Sequence, residues 1–88
     1  MLTLEMLDEL HVLTLFNPEN GQEGIKVHHS AESATISACS RLHARGMVTL
    51  PDGGYLTPLG VQTLEHAQTL LSLLSSPVNT NSAFHAKM

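Results

Sequence analysis

The sequence predicts one small, mainly α-helical domain that carries a β-hairpin. Apolar residues recur at helical spacing in three segments, and an Asp-Gly turn separates two short β-prone runs. Of the 88 residues, 42% are hydrophobic and only 14% are charged, which is enough apolar material for one core. A chain of this length buries only about two thirds of its unfolded surface. We therefore expect one domain over residues 1–76, with self-association as one way to add stability.

The first predicted helix runs from about Thr3 to Phe16. Thr3 is a suitable N-cap, and Asn17-Pro18 ends the helix because proline cannot donate the next backbone hydrogen bond. The predicted core-facing residues recur at helical spacing: Leu4, Leu7, Leu10 and Leu13. Other apolar residues lie elsewhere on the helical wheel and predict a second contact surface: Leu2, Val12, Leu15 and Phe16.

The middle of the chain predicts a second helix after an ambiguous segment. Between Glu19 and Ser30, the run Ile25-Lys26-Val27 is compatible with one turn of helix or with a short strand. A helix is then expected from Ser30 to Arg45, opened either by Ser30 or by Glu32-Ser33, with Gly46 in the left-handed position that follows a helix end. Its predicted packing face consists mostly of small residues: Ala31, Ala34, Ala38 and Leu42.

A tight hairpin and a last helix complete the expected fold. Met47–Leu50 and Tyr55–Thr57 flank the turn Pro51-Asp52-Gly53-Gly54. Thr57 and Pro58 are a typical N-cap and first helical residue, so the last helix is expected from Pro58 to about Ser76. Its predicted core stripe is Leu64, Ala67, Leu71 and Leu74. Residues 77–88 lack periodicity and are expected to form a disordered tail.

The order of these elements resembles that of winged-helix domains, in which a recognition helix leads directly into a β wing. Ser40–Val48, followed by Asp52–Gly60, is similar to winged-helix repressors of the multiple-antibiotic-resistance and phenolic-acid-repressor types. Those repressors have an Arg-Leu pair, a helix-ending Gly, a hairpin and a Leu-Thr-Pro-Leu-Gly-like helix start in the same order. The resemblance covers roughly residues 34–60. It implies a winged-helix-like fold of three or four helices plus a two-stranded wing.

The whole chain, especially Gln22–Ser30 and Pro51–Thr57, also resembles a small gammaproteobacterial family labelled as DNA-binding proteins or transcriptional regulators. This resemblance implies a bacterial, cytosolic protein and supplies no catalytic or binding residues. The order of the elements and Arg41 predict a regulator-like protein that binds duplex DNA as a dimer through the helix from Ala31 to Arg45. The recognition-helix analogy then places the DNA-contacting residues at Lys26, Ser33, Ser37, Ser40, Arg41 and Arg45, with Arg41 able to make a bidentate contact to guanine.

The charge of the chain favours an alternative function. The formal net charge is −4, and the wing tip carries Asp52 where DNA-contacting wings usually carry Arg or Lys. The alternative is an acidic winged-helix module that binds another protein and not DNA. Surplus apolar residues would form its homodimer or partner surface: Val12, Leu15, Leu59, Leu70 and Leu73.

The sequence predicts no enzyme, no cofactor and no metal site. It contains no nucleophilic triad, no phosphate-binding glycine loop and no paired-carboxylate motif, and Gly53-Gly54 is assigned to a turn. Cys39 and His43 have a spacing that can hold a metal, but a third ligand would have to come from His28 or His29. Cys39 is better interpreted as a small packed residue, and Tyr55 as an aromatic that anchors the wing to the helices. The six histidines make a pH-dependent interaction conceivable, although ordinary surface roles are the simpler interpretation.

The location expected from the sequence is the cytosol. A single cysteine excludes an internal disulfide and fits a reducing compartment. The N-terminus is acidic where a secretory signal is basic, and no apolar run reaches the length that spans a bilayer.

Overall fold

The computed structural model describes residues 1–16 and 23–78. Its elements in chain order are α1 (Leu4–Leu13), β1 (Ile25–Lys26), α2 (Ser33–Ala44), β2 (Val48–Leu50), β3 (Gly53–Leu56) and α3 (Pro58–Ser75). The predicted class, a mainly helical domain with a β-hairpin, is confirmed. Of the predicted tail, residues 79–88 lie outside the described part of the chain.

Local capping residues define the helix starts where the sequence predicts them. The Thr3 hydroxyl accepts a hydrogen bond from the Met6 N–H at 3.1 Å, which begins α1. The Thr57 hydroxyl accepts one from the Gly60 N–H at 3.0 Å, and Pro58 occupies the first position of α3. Each bond satisfies one of the backbone donors that a helix N-terminus leaves without a partner.

Of the two possible starts of α2, the one at Glu32-Ser33 is correct, because residues 28–31 form a turn closed by the Ala31 N–H and the His28 carbonyl at 2.9 Å. The helix begins at Ser33, and its N-cap Glu32 makes no side-chain capping bond. Beyond its other end, Gly46 has a φ of 78°, as predicted.

The hairpin gains a third strand, which gives an antiparallel sheet in the order β1-β3-β2. Of the two possibilities for Ile25-Lys26-Val27, the strand is correct: Ile25 lies opposite Gly54, and Lys26 lies opposite Gly53. The assignment of Gly53-Gly54 to the turn is wrong, since both residues belong to β3 and the turn is Pro51-Asp52. A Cβ atom at Gly53 would lie 2.6 Å from the Ile25 carbonyl oxygen, so glycine permits this close approach of the strands.

The core lies between α1, α2, the hairpin and the first half of α3. Its buried residues are Val12, Leu13, Phe16, Ala38, Cys39, Leu42, Val48 and Leu64. Several predicted core positions are wrong, because the face that each helix buries is not the one that the spacing of its apolar residues indicates. On α1, Leu4 and Leu7 are exposed while Glu9 is buried; on α2, Ala34 is exposed; and on α3, Leu74 is 73% exposed.

Candidate functional site

The predicted DNA-contacting residues occupy one side of α2 and the neighbouring edge strand. Ser33, Ser37 and Ser40 are exposed on α2, and Lys26 is exposed on β1. Arg41 and Arg45 differ from these four residues, because their side chains bind to α1.

Arg41 and Arg45 form ion pairs with one buried carboxylate on α1. Glu9, 7% exposed, accepts a hydrogen bond from the Arg41 Nε on Oε2 and one from the Arg45 Nε on Oε1, each at 2.8 Å. Arg41 also donates from Nη2 to the Glu5 carbonyl at 3.4 Å. The side chains of Arg41 and Arg45 are 34% and 52% exposed, so the arginines cover Glu9 on the solvent side.

Glu9 is a residue that the sequence analysis missed. The available signal was its position three and four residues before Val12 and Leu13, which places an acid on the same face as two apolar residues. A buried acid is costly unless it is paired, so a basic residue on a neighbouring element was to be expected. Two arginines one turn apart on the next helix meet that need.

This ion-pair cluster changes the electrostatics of the proposed recognition helix. The Nε atoms of both arginines bind Glu9, and the three groups together carry a net charge of +1. Within residues 1–16 and 23–78, Lys26 is the remaining lysine or arginine. Because affinity for DNA depends on the number of phosphates neutralised, this face offers little of the driving force of a DNA-binding surface.

An open groove lies where β1 and the β2–β3 turn approach the outer side of α2. Its volume is about 630 Å³, and it is lined by Lys26, Val27, His29, Ile36, Ser40, Pro51 and Asp52. Across the described part of the chain, Lys26 and Asp52 have no oppositely charged atom within 4.0 Å. The residues that line the groove therefore include one base, one acid and three apolar residues.

A second feature is the leucine surface, which we define as Leu4 and Leu7 of α1 with Leu70, Leu73 and Leu74 of α3. Between the two helices, a shallow depression of about 200 Å³ connects them and is lined by Leu7, Leu10, His11, Thr14 and Leu71. Of the predicted partner residues, Leu70 and Leu73 lie on this surface and Leu15 and Leu59 are exposed elsewhere. The prediction for Val12 is wrong: it is 1% exposed, because this side of α1 packs into the core.

Cys39 is fully buried in the core, as its interpretation as a packed residue requires. Burial raises the pKa of its thiol, and the Asp52 carboxylate raises it further. His28, His29 and His43 are exposed. Over residues 1–16 and 23–78, no three His, Cys, Asp or Glu side chains come close enough to hold a metal ion.

The aromatic ring of Tyr55 is half exposed on β3. A Cβ atom added at Gly24 would lie 3.1 Å from its Cε1 atom, so the ring covers the segment that leads into β1. The Tyr55 N–H donates to the Thr49 hydroxyl at 2.9 Å, across the hairpin.

These features define a small helical domain with a three-stranded sheet, an internally paired arginine cluster, one polar groove and one apolar helix surface. Residues 1–75 match the profile of DUF5669, a family of unknown function, and the chain belongs to this family. Neither the curated proteins nor the solved structures contain a significant match to the chain. None of the helices described is long and apolar enough to cross a membrane.

Proposed function

We propose that the chain is a protein-interaction module that associates through its leucine surface, and that its partner is a second copy of the same chain. The observation that carries the proposal is the exposure of the leucines in the second half of α3. Leu70, Leu73 and Leu74 are 53%, 70% and 73% exposed there, and the last buried residue of the helix is Ala67.

The length of α3 supports a partner for this half. Its 18 residues span about 27 Å, but only its first half packs on the core. A helical segment of two turns has little stability of its own in water, since most helical stability in proteins comes from packing of an apolar face. Contact with a second molecule supplies that packing.

The area of the leucine surface also fits a protein partner. Its five leucines are between 43% and 76% exposed, which leaves on the order of 600 Å² of leucine side chain in water that a partner can cover.

The charge of the surface favours a second copy. Residues 67–78 contain no Asp, Glu, Lys, Arg or His, so two copies of α3 meet without like-charge repulsion. A two-fold axis brings the same apolar surface of both molecules together, as in most homodimers.

The test is the molar mass in solution, measured by sedimentation equilibrium at about 100 μM. We expect a dimer for the natural chain and a monomer for the double variant Leu73→Glu/Leu74→Glu. The matched control is Leu50→Glu, which adds a charge at an apolar residue of β2 that is 52% exposed, and which should leave the dimer intact. A natural chain that is monomeric at this concentration would overturn the proposal, as would equal effects of both substitutions.

A second candidate function is binding of duplex DNA as a transcriptional regulator. It is supported by the resemblance to winged-helix proteins and by the exposed Ser33, Ser37, Ser40 and Lys26 along one side. It is opposed by the pairing of Arg41 and Arg45 with Glu9 and by the acidic Asp52 at the wing tip.

Fluorescence anisotropy with random duplex DNA separates the two candidates. Binding at about 50 mM salt that weakens by orders of magnitude at about 200 mM, and that Lys26→Gln reduces, would establish DNA as a ligand. No binding at the lower salt would reject the regulator for the isolated chain. Neither candidate assigns catalysis, a cofactor or a metal, and both place the chain in the cytosol, where the free thiol of Cys39 stays reduced.

A further inference from the structure

We propose that protonation of His11 separates two associated copies of the chain, so that association through the leucine surface weakens as the pH falls below neutral. The inference rests on the proposed function, and it assigns a regulation by pH to the same surface.

His11 lies within the leucine surface. On α1 it follows Leu7 by about one helical turn and Leu4 by about two, so the three residues share one side of the helix. His11 is exposed in the single copy and lines the depression between α1 and α3. Leu7 lines this depression as well and belongs to the leucine surface. A second copy that covers the leucine surface therefore also covers the His11 imidazole.

The residues around His11 provide no acid to pair with a protonated imidazole. The lining of the depression is Leu7, Leu10, His11, Thr14 and Leu71, to which α2 contributes nothing. On α1 the nearest preceding acid in the chain beyond Glu9 is Asp8, and across the described residues no carboxylate lies within 4.0 Å of His11.

The facing helix α3 is equally poor in charge near His11. Its contribution to the depression is Leu71, and residues 67–78 contain no titratable side chain. The nearest titratable residues of α3 are Glu65 and His66, and His66 precedes Leu71 by five residues, about 7.5 Å along the helix. A two-fold axis presents this same surface from the second copy, so the partner adds no acid of its own at the depression.

The sign of the pH dependence follows from this environment. A histidine side chain gains its positive charge in the range between about pH 8 and pH 5. In the single copy, water solvates the charged imidazole. In the dimer, leucine side chains replace that water, which disfavours the charged form. Protons therefore bind the separate copies better than the dimer, and a falling pH shifts the equilibrium towards separate copies.

Sedimentation equilibrium at about pH 7.5 and at about pH 5.5 measures the Kd of the dimer and tests the inference. We expect the Kd of the natural chain to rise by at least about tenfold at the lower pH, because a dimer contains two copies of His11. His11→Gln keeps a polar side chain that cannot be protonated, and its Kd should change by less than about threefold.

Two further variants separate the interface from general effects of acid. His11→Leu should associate at least as tightly as the natural chain at the higher pH, because it adds apolar area, and should remain a dimer at the lower pH. The matched control is His43→Gln, which removes an exposed histidine of α2 outside the leucine surface and should keep the pH dependence of the natural chain.

The possible failures are distinguishable. A natural chain that is monomeric at both pH values would overturn the proposed association together with this inference. A dimer whose Kd is unchanged or lower at about pH 5.5, or a His11→Gln protein with the pH dependence of the natural chain, would overturn only the inference. Loss of the helical circular dichroism at the lower pH in both proteins would also overturn it, because unfolding would then cause the dissociation.

Discussion

At the scale of single residues, the Glu9 carboxylate connects the two helices that form most of the core. Each of its oxygens accepts a hydrogen bond from a different arginine of α2, both at 2.8 Å, and Val12 and Leu13 beside it are buried. Charge-assisted hydrogen bonds of this length are about twice as strong as neutral ones. Glu9 therefore fixes the position of α1 on α2 as well as neutralising charge.

We expect Glu9→Gln to lower the free energy of unfolding by about 2 kcal/mol. The amide keeps the shape of the side chain, but its nitrogen donates and therefore cannot accept from the second guanidinium. Urea denaturation at neutral pH measures the change. The control Glu65→Gln, on the exposed side of α3, should change stability by less than about 0.5 kcal/mol. Equal effects of the two substitutions would mean that the ion pairs contribute nothing to the packing of α1.

Cys39 makes the free energy of unfolding depend on pH in the alkaline range. Burial, with Asp52 adding to it, raises the pKa of the thiol in the folded chain above its value in the unfolded chain. As the pH rises through the unfolded value, the unfolded chain loses this proton first and becomes relatively more stable.

The contribution of Cys39 is therefore fully present below the ordinary thiol pKa and declines as the pH rises through and above it. Urea denaturation of the natural chain and of Cys39→Ala, each measured from neutral to alkaline pH, checks this. We expect the alanine variant to be less stable at neutral pH but to lose less stability at alkaline pH. Parallel pH profiles for the two proteins would refute the assignment.

At the scale of the elements, Thr57 joins the hairpin, the end of α2 and the start of α3. Its hydroxyl accepts from the Gly60 N–H at 3.0 Å and donates to the Gly46 carbonyl, while its N–H donates to the Met47 carbonyl at 3.0 Å. Gly60 lies directly against that Met47 carbonyl, where a Cβ atom would overlap the oxygen. This junction sets the direction in which α3 leaves the sheet.

We expect Thr57→Ala to cost about 1–2 kcal/mol of unfolding free energy, because it removes the cap of α3 and a hydrogen bond to Gly46 together. Thr57→Ser should restore most of the loss. Thermal unfolding followed by circular dichroism measures both. Thr69→Ala is the control, since that hydroxyl donates to the Glu65 carbonyl of its own helix. A Thr57→Ala protein as stable as the control would exclude a role for the cap.

The elements differ in how well the sequence predicts them, and the reason is the distance over which each is determined. Thr3, Thr57 and Gly46 act on backbone groups within a few residues, so their roles follow from local sequence. The strand β1 depends on glycines of β3 that lie 27 residues away or more in the chain, as with Lys26 and Gly53. Local preference therefore left Ile25-Lys26-Val27 undecided between helix and strand.

The choice of buried face is also non-local. Both α1 and α3 carry leucines over more than one face, and only their neighbours decide which of these leucines are covered. On α1 the face with Glu9 is buried, since Arg41 and Arg45 lie opposite it. Leu4 and Leu7 consequently remain on the outside, although their spacing is that of a core stripe.

At the scale of the whole molecule, the shape is elongated, with extents of 48, 26 and 20 Å over the described residues. If the leucine surface joins two copies, association must stabilise the folded state by mass action. We expect the midpoint of thermal unfolding to rise by roughly 3–5 °C for each tenfold increase in protein concentration. Differential scanning calorimetry measures this midpoint. The Leu73→Glu/Leu74→Glu protein should show no such dependence, and a midpoint independent of concentration in the natural chain would contradict the dimer.

At the scale of the whole molecule, the candidate site can be predicted from the sequence only in part. The sequence shows how many bases the chain has, but not that Arg41 and Arg45 share one buried acid. It also cannot show that Lys26 and Asp52 line one groove, because the sheet register brings them together across 26 residues. Net charge and element order are readable from sequence, whereas the charges that remain for a partner depend on the tertiary fold.

The position of Tyr55 makes its fluorescence a reporter of the sheet that is separate from the circular dichroism of the helices. It is the single tyrosine of a chain without tryptophan, and its ring lies beside Gly24 at the start of β1. Tyrosine emission therefore follows the joining of the edge strand to the hairpin, whereas far-ultraviolet circular dichroism follows mainly the three helices. Coincidence of the two signals during denaturation would show that the sheet and the helices unfold as one cooperative unit, and separate transitions would show that the edge strand detaches first or last.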